Sequence, residues 1–128
     1  LAWDVFESTG ARRVLVTGDA RRGQLWLGIF ERPDGLPQQV GTWQVLSAST
    51  PRPDLASDSV VVSPHGDRLG ERLRDYFGAT VRVISGTRVP GAATMGRLVF
   101  LRLRAGLPSA PLSPIYLHPP VRPASAGV

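Results

Sequence analysis

Between a run of valines and an amphipathic stretch stands Ser63-Pro64-His65-Gly66-Asp67, the densest group of chemistry-bearing side chains in the sequence. A serine, a histidine and an aspartate are the ingredients of nucleophilic catalysis, but triad members converge from separate elements, and neighbours on one tight turn seldom align. Two other tasks suit the position better. Where a strand passes into a helix, the first backbone N–H groups of the helix are unpaired, so Ser63, His65, Gly66 and Asp67 form a candidate anion site. The same residues can cap the helix instead, with Ser63 or Asp67 at the N-cap and Pro64 in the first helical position if Ser63 caps. Capping is the reading the residue types favour. His65, with no acid from another element to orient it, is expected not to be catalytic.

Gly18-Asp19-Ala20-Arg21-Arg22-Gly23 has the glycine spacing of a phosphate-cradling loop. The Lys-Ser/Thr pair that such a loop requires is replaced by Gln24-Leu25, and residues 24–30 alternate like a strand rather than opening a helix. The segment therefore reads as a hairpin turn, and Asp19 and Asp34 as turn residues rather than an acid–base pair. Arginine offers more. In 97–104, Phe100, Arg102 and Arg104 alternate with Val99, Leu101 and Leu103, and Arg82 alternates with Val81 and Val83. If both stretches are strands of one hairpin, a sheet face carries three guanidiniums beside an aromatic ring, which is equipment for phosphate contact and base stacking. Arg88 and Arg97, in and at the end of a small-residue loop from Ser85 to Gly96, extend that candidate surface. Set against this, a solvated sheet face needs polar residues in any protein.

All 15 basic residues are Arg, with no Lys, no Asn and no Cys, a bias that fits a GC-rich genome. The absence of Cys removes disulfides, thiolate nucleophiles and Cys-containing zinc sites, and two His residues leave little for a metal. Neither metal nor cofactor is expected. The net charge of +5 is uneven: residues 1–65 hold six Arg against seven acids, whereas 66–106 hold eight against three. The basic character lies in the second half.

The 128 residues, 42% hydrophobic with a mean hydropathy of −0.01, amount to one domain with one sizeable core. No apolar run approaches the ~20 residues of a membrane span, and Leu1 to Val5 do not read as a signal peptide. A cytoplasmic location is the expectation. Six of the twelve prolines fall in 107–128, so the chain divides into a globular part, 1–106, and a Pro-rich C-terminal tail in which Ile115, Tyr116 and Leu117 are expected to dock back. Two P-x-x-P stretches, 111–114 and 120–123, have the spacing of a polyproline ligand, although a simple linker explains six prolines as well.

Strands are expected over 13–17 and 24–30, joined as a hairpin, then over 40–46 and 59–62. Leu69, Leu73 and Phe77, at i, i+4 and i+8 with Gly78 as the stop, predict the one strong helix. Strands over 80–84 and 97–104 complete the order β-β-β-β-α-β-β: an α+β domain whose sheet is mostly antiparallel, with one amphipathic helix packed on it. The function expected is a small non-catalytic binding module with a basic C-terminal half, directed at an acidic protein surface or another anionic ligand. Nucleic-acid binding through the Arg/aromatic sheet face is the second reading, and a small enzyme using His65 the third. A protein partner is expected, and no membrane.

Overall fold

Val14-Leu15-Val16 and Val60-Val61-Val62 put apolar side chains on both sides of an extended chain, so each can be buried only inside a sheet covered on both faces. The computed structural model, which describes residues 1–53, 55–56, 58–79, 81–109 and 113–117, has that arrangement. Its elements are α1 (Ala2–Thr9), β1 (Arg13–Asp19), β2 (Leu25–Glu31), β3 (Gln38–Leu46), β4 (Ser59–Val62), α2 (Gly66–Phe77), β5 (Arg82–Val83) and α3 (Ala92–Arg104). They form a single α+β domain around a sheet of order β3-β2-β1-β4-β5.

The sheet is mixed, which corrects the expectation of a mostly antiparallel one. The β1–β2–β3 meander is antiparallel, but β4 pairs with β1, and β5 with β4, in parallel. A parallel neighbour requires a crossover, and α2 supplies it between β4 and β5. Leu15, Leu27 and Val61 meet Leu69, Leu73 and Phe77 of α2 on one face. On the other face Val14, Val16, Val60 and Val62 meet Val5 and Phe6 of α1. Each such aliphatic side chain taken out of water contributes about 1.5–3 kcal/mol.

Helix α1 is an addition to the expected order. Its eight residues are short for a periodicity argument, yet Ala2, Trp3, Val5 and Phe6 are all buried, and Gly10 at φ 67° ends it in the left-handed region. A second correction concerns 97–104, which are helical within α3. Within that alternation Val99 and Leu103 also stand at i, i+4, and Ala92, Ala93, Met95, Leu and Arg all favour a helix. Of the strand expected over 80–84, Arg82 and Val83 form a two-residue edge strand, and residue 80 lies outside the described residues. Ile115 and Tyr116 are exposed. His118 and the stretch from 118 to 128 lie outside the described residues, as do 110–112.

Trp43 lies on Gly28 of the neighbouring strand, where a Cβ would come within 2.5 Å of the ring. Its ring is edge-on to Trp26 at 5.6 Å and to Phe30 at 6.0 Å, a cross-strand aromatic cluster. Beside it the β2–β3 register shifts between Leu27 and Ile29, and Gly41 takes φ 70°.

Candidate functional site

The β1–β2 turn, the β4–α2 junction and the loop after β5 all lie at the carboxyl end of the parallel strands, the edge at which such sheets place ligands. Ser63 is fully buried, and its hydroxyl accepts the His65 N–H at 3.0 Å. Neither Ser63 nor Asp67 caps α2: His65 is the N-cap residue, without a side-chain bond. The start of the helix is met instead by the loop after β5. Thr87 Oγ1 accepts the Asp67 N–H at 3.3 Å, the Arg88 N–H reaches the Ser63 carbonyl at 3.1 Å, and Gly66 lies flat against the Gly86 carbonyl.

His65 does not face Ser63. Its Nδ1 accepts the Asp19 N–H at 3.3 Å across 46 residues of sequence and packs beside Gly18. The Asp19 carboxylate takes Arg68 at 2.8 Å on one oxygen and the Arg21 N–H at 2.8 Å on the other. These two bonds, the Arg68 one first, hold the Asp19 carboxyl below the ordinary aspartate range. A depressed carboxylate value stabilises the fold above the unfolded value, about 3.9, and that contribution disappears as pH falls through the folded value. Protection factors of the Arg21 and Gln24 amides, relative to the intrinsic exchange rate at each pH, should therefore fall below about pH 3.9 while those of β1 and β4 amides hold. Uniform behaviour of all these amides on acidification would show that Asp19 does not hold the turn.

The arginines expected to share a sheet face are dispersed. Arg82 is on the exposed edge strand, and Arg97, Arg102 and Arg104 are on α3. Arg97 stands over the Trp3 ring at 6.0 Å, Arg104 over Phe100 at 5.8 Å, and Arg102 donates to the Pro108 carbonyl at 3.4 Å. There is no Arg/aromatic sheet face, because its second strand is a helix. Helix α3 packs on α1, with Thr94, Leu98 and Arg102 half-buried and no residue fully buried. Met95 (50%), Val99 (56%), Phe100 (58%) and Leu103 (61%) form an exposed apolar stripe on its outer side. Beneath α3 runs a groove of about 770 Å³ lined by Trp3, Phe30, Pro37, Met95, Leu98 and Arg102, among others. Residue type hides this surface: a stripe of Met, Val, Phe and Leu reads from sequence as buried. Among the described residues no group of three or more His, Asp or Glu could hold a metal, and no helix is long and apolar enough to cross a membrane.

In sequence, no family model and no curated protein matches the chain. Solved structures do match the fold. One, described as an uncharacterized protein with similarity to peptidase YeaZ from Pseudomonas aeruginosa, has a TM-score of 0.66 at 20% identity, over 92% of this chain and 55% of that one. Another, YeaZ from Pseudomonas aeruginosa, has a TM-score of 0.61 at 23% identity, over 83% and 49%. The chain thus spans about half the length of the structures it matches. This overturns the expectation of a simple non-catalytic module aimed at an anionic partner, since the fold matches about half of each of two YeaZ-like structures; the Arg/aromatic sheet face behind the nucleic-acid reading is absent among the described residues.

Proposed function

We propose that the chain is one lobe of a YeaZ-like assembly and works when its α1/α3 side is closed by a second α+β lobe, as part of an enzyme-related, partner-bound unit. The observation that carries this reading is the outer face of α3. A helix with four large apolar side chains at least half exposed, on a domain whose other helices bury theirs, is an interface awaiting its counterpart. The two matched structures, each about twice as long as the region they share with this chain, support a second lobe as that counterpart. A peptidase centre assembled from Ser63 and His65 is the weaker reading, since the Ser63 hydroxyl accepts a backbone N–H and His65 turns to Asp19.

Photo-cross-linking from position 100 in the source cells tests it. The expected product is one discrete adduct whose cross-linked peptide belongs to a YeaZ-like lobe, lost in Val99→Asp, which leaves the thermal midpoint unchanged because Val99 is exposed. Absence of an adduct, or a ladder of unrelated proteins, would reject the assignment.

A further inference from the structure

Under α2 the sheet is filled: Leu69, Leu73 and Phe77 are each no more than 4% exposed. Under α3 it is not. No residue of α3 is fully buried, and the helix is held against α1 by peripheral contacts, the Thr94 hydroxyl donating to Asp4 Oδ1 at 3.0 Å and Arg97 standing over Trp3. The groove of about 770 Å³ left beneath it falls within the roughly 300–1,000 Å³ of small-molecule sites. Trp3 and Phe30 wall it on the domain side, Met95 and Leu98 on the helix side. Thr94 and Arg102 both line it and lie eight positions apart on α3, so the groove follows the helix for about 12 Å. Charge enters at one end only. Among the described lining residues Arg102 alone has a charged side chain; it is half-buried, and its guanidinium makes one long bond, to the Pro108 carbonyl at 3.4 Å, which leaves most of its fork open.

We propose that this groove binds a free medium-chain fatty acid, with the carboxylate on Arg102 and the acyl chain along Leu98, Met95, Trp3 and Phe30. A single planar guanidinium matches the two oxygens and single charge of a carboxylate, and is too little for a doubly charged phosphoryl group. No acidic side chain lines the groove, so an anionic head meets no repulsion there, whereas a cationic head would face Arg102 unopposed. An extended chain of ~10 carbons spans the same length as the stretch of α3 that borders the groove. The aromatic and aliphatic walls then take the chain out of water along that length. The site lies on the inner side of α3 and does not rest on a second lobe: Val99 and Phe100, on the outer stripe, are not part of the groove.

Met95 is the sole methionine, so its isotope-labelled methyl group gives one NMR signal at the groove wall, and the Trp3 indole gives a second on the facing side. The test titrates the 128-residue chain with octanoate, decanoate and dodecanoate below their micellar concentrations. Both signals should shift saturably, with affinity rising about fourfold per methylene to ~10 carbons and levelling beyond, where the chain outruns the groove. Arg102→Ala should weaken decanoate about tenfold, to the affinity of decanol, and leave decanol itself unchanged. Its thermal midpoint should hold, since the side chain is only half-buried, and Arg102→Lys should recover part of the affinity. Val99→Ser/Phe100→Ser strips the outer stripe, where a second lobe would dock, and should leave decanoate binding intact. Decanol binding as tightly as decanoate, affinity that keeps climbing through dodecanoate, or loss of binding in the Val99/Phe100 variant but not in Arg102→Ala would each overturn the site. So would the absence of a saturable shift with decanoate by ~5 mM. Shifts of the same two signals on raising the protein concentration alone, with a dimer in analytical ultracentrifugation, would assign the groove to a second copy of the chain instead.

Discussion

Phe6→Ala should destabilise the protein by about 3–5 kcal/mol, enough to consume much of the 5–15 kcal/mol typical of a small domain. Phe6 is 1% exposed, packs with Val5, Val14, Val16, Val60 and Val62, and carries the Arg32 guanidinium over its ring at 5.4 Å. Truncation leaves a cavity between α1 and the sheet that the short helix cannot collapse into without losing Trp3 and Val5. Arg32 is also paired with Glu7, so loss of the ring loosens a contact that ties α1 to the end of β2. Urea unfolding measures the effect. A loss below about 1 kcal/mol would mean that α1 is an appendage and that the second face of the sheet is closed by something else.

Gly66→Ala should be nearly as severe, on the order of 3 kcal/mol or more. A Cβ at position 66 would overlap the carbonyl oxygen of Gly86 and crowd the Thr87 nitrogen. Both obstacles are backbone, so no rotamer change relieves them; the loop must lift. Lifting it also breaks the bonds from Asp67 N–H to Thr87 and from Arg88 N–H to the Ser63 carbonyl. Gly70→Ala on the same helix is the control: its Cβ meets only the flexible end of Arg74 at 3.9 Å and should stabilise the helix by up to about 1 kcal/mol. Equal tolerance of the two substitutions in thermal denaturation would show that the loop does not rest on the helix.

The contrast between Gly66 and Gly70 also marks how far sequence reasoning reaches. Gly78 as the stop of α2, the Leu69/Leu73/Phe77 stripe, the β1–β2 hairpin and the strand at 59–62 are legible because each depends on residues within a few positions of one another. The parallel pairing of β4 with β1 is not, since Val60 to Val62 are as apolar as either pairing demands and the partner strand lies more than 40 residues earlier, beyond the β2–β3 meander. Helix α3 reads as a strand because Val99, Leu101 and Leu103 alternate while Val99 and Leu103 alone also fit the helical i, i+4 spacing, and no buried residue in the helix marks which applies. At the junction, Ser63, His65 and Asp67 stand out as a group, but their partners are beyond local pattern: Asp19 lies 46 residues before His65, and Thr87 lies 20 after Asp67.

The Trp43–Gly28 contact has a consequence for how the protein behaves when crowded. Strand β3 is nine residues long and forms one rim of the sheet, with a row of backbone donors and acceptors that another chain could copy into a growing fibril. Gly41 in the left-handed region and the slipped register beside Trp43 break that row in its middle, so an incoming strand can match only a few residues before its ladder falls out of step. The same tryptophan that fills the space over a glycine therefore guards the rim against templated aggregation, and restoring a regular ladder there would expose a hazard that the native sequence has disarmed.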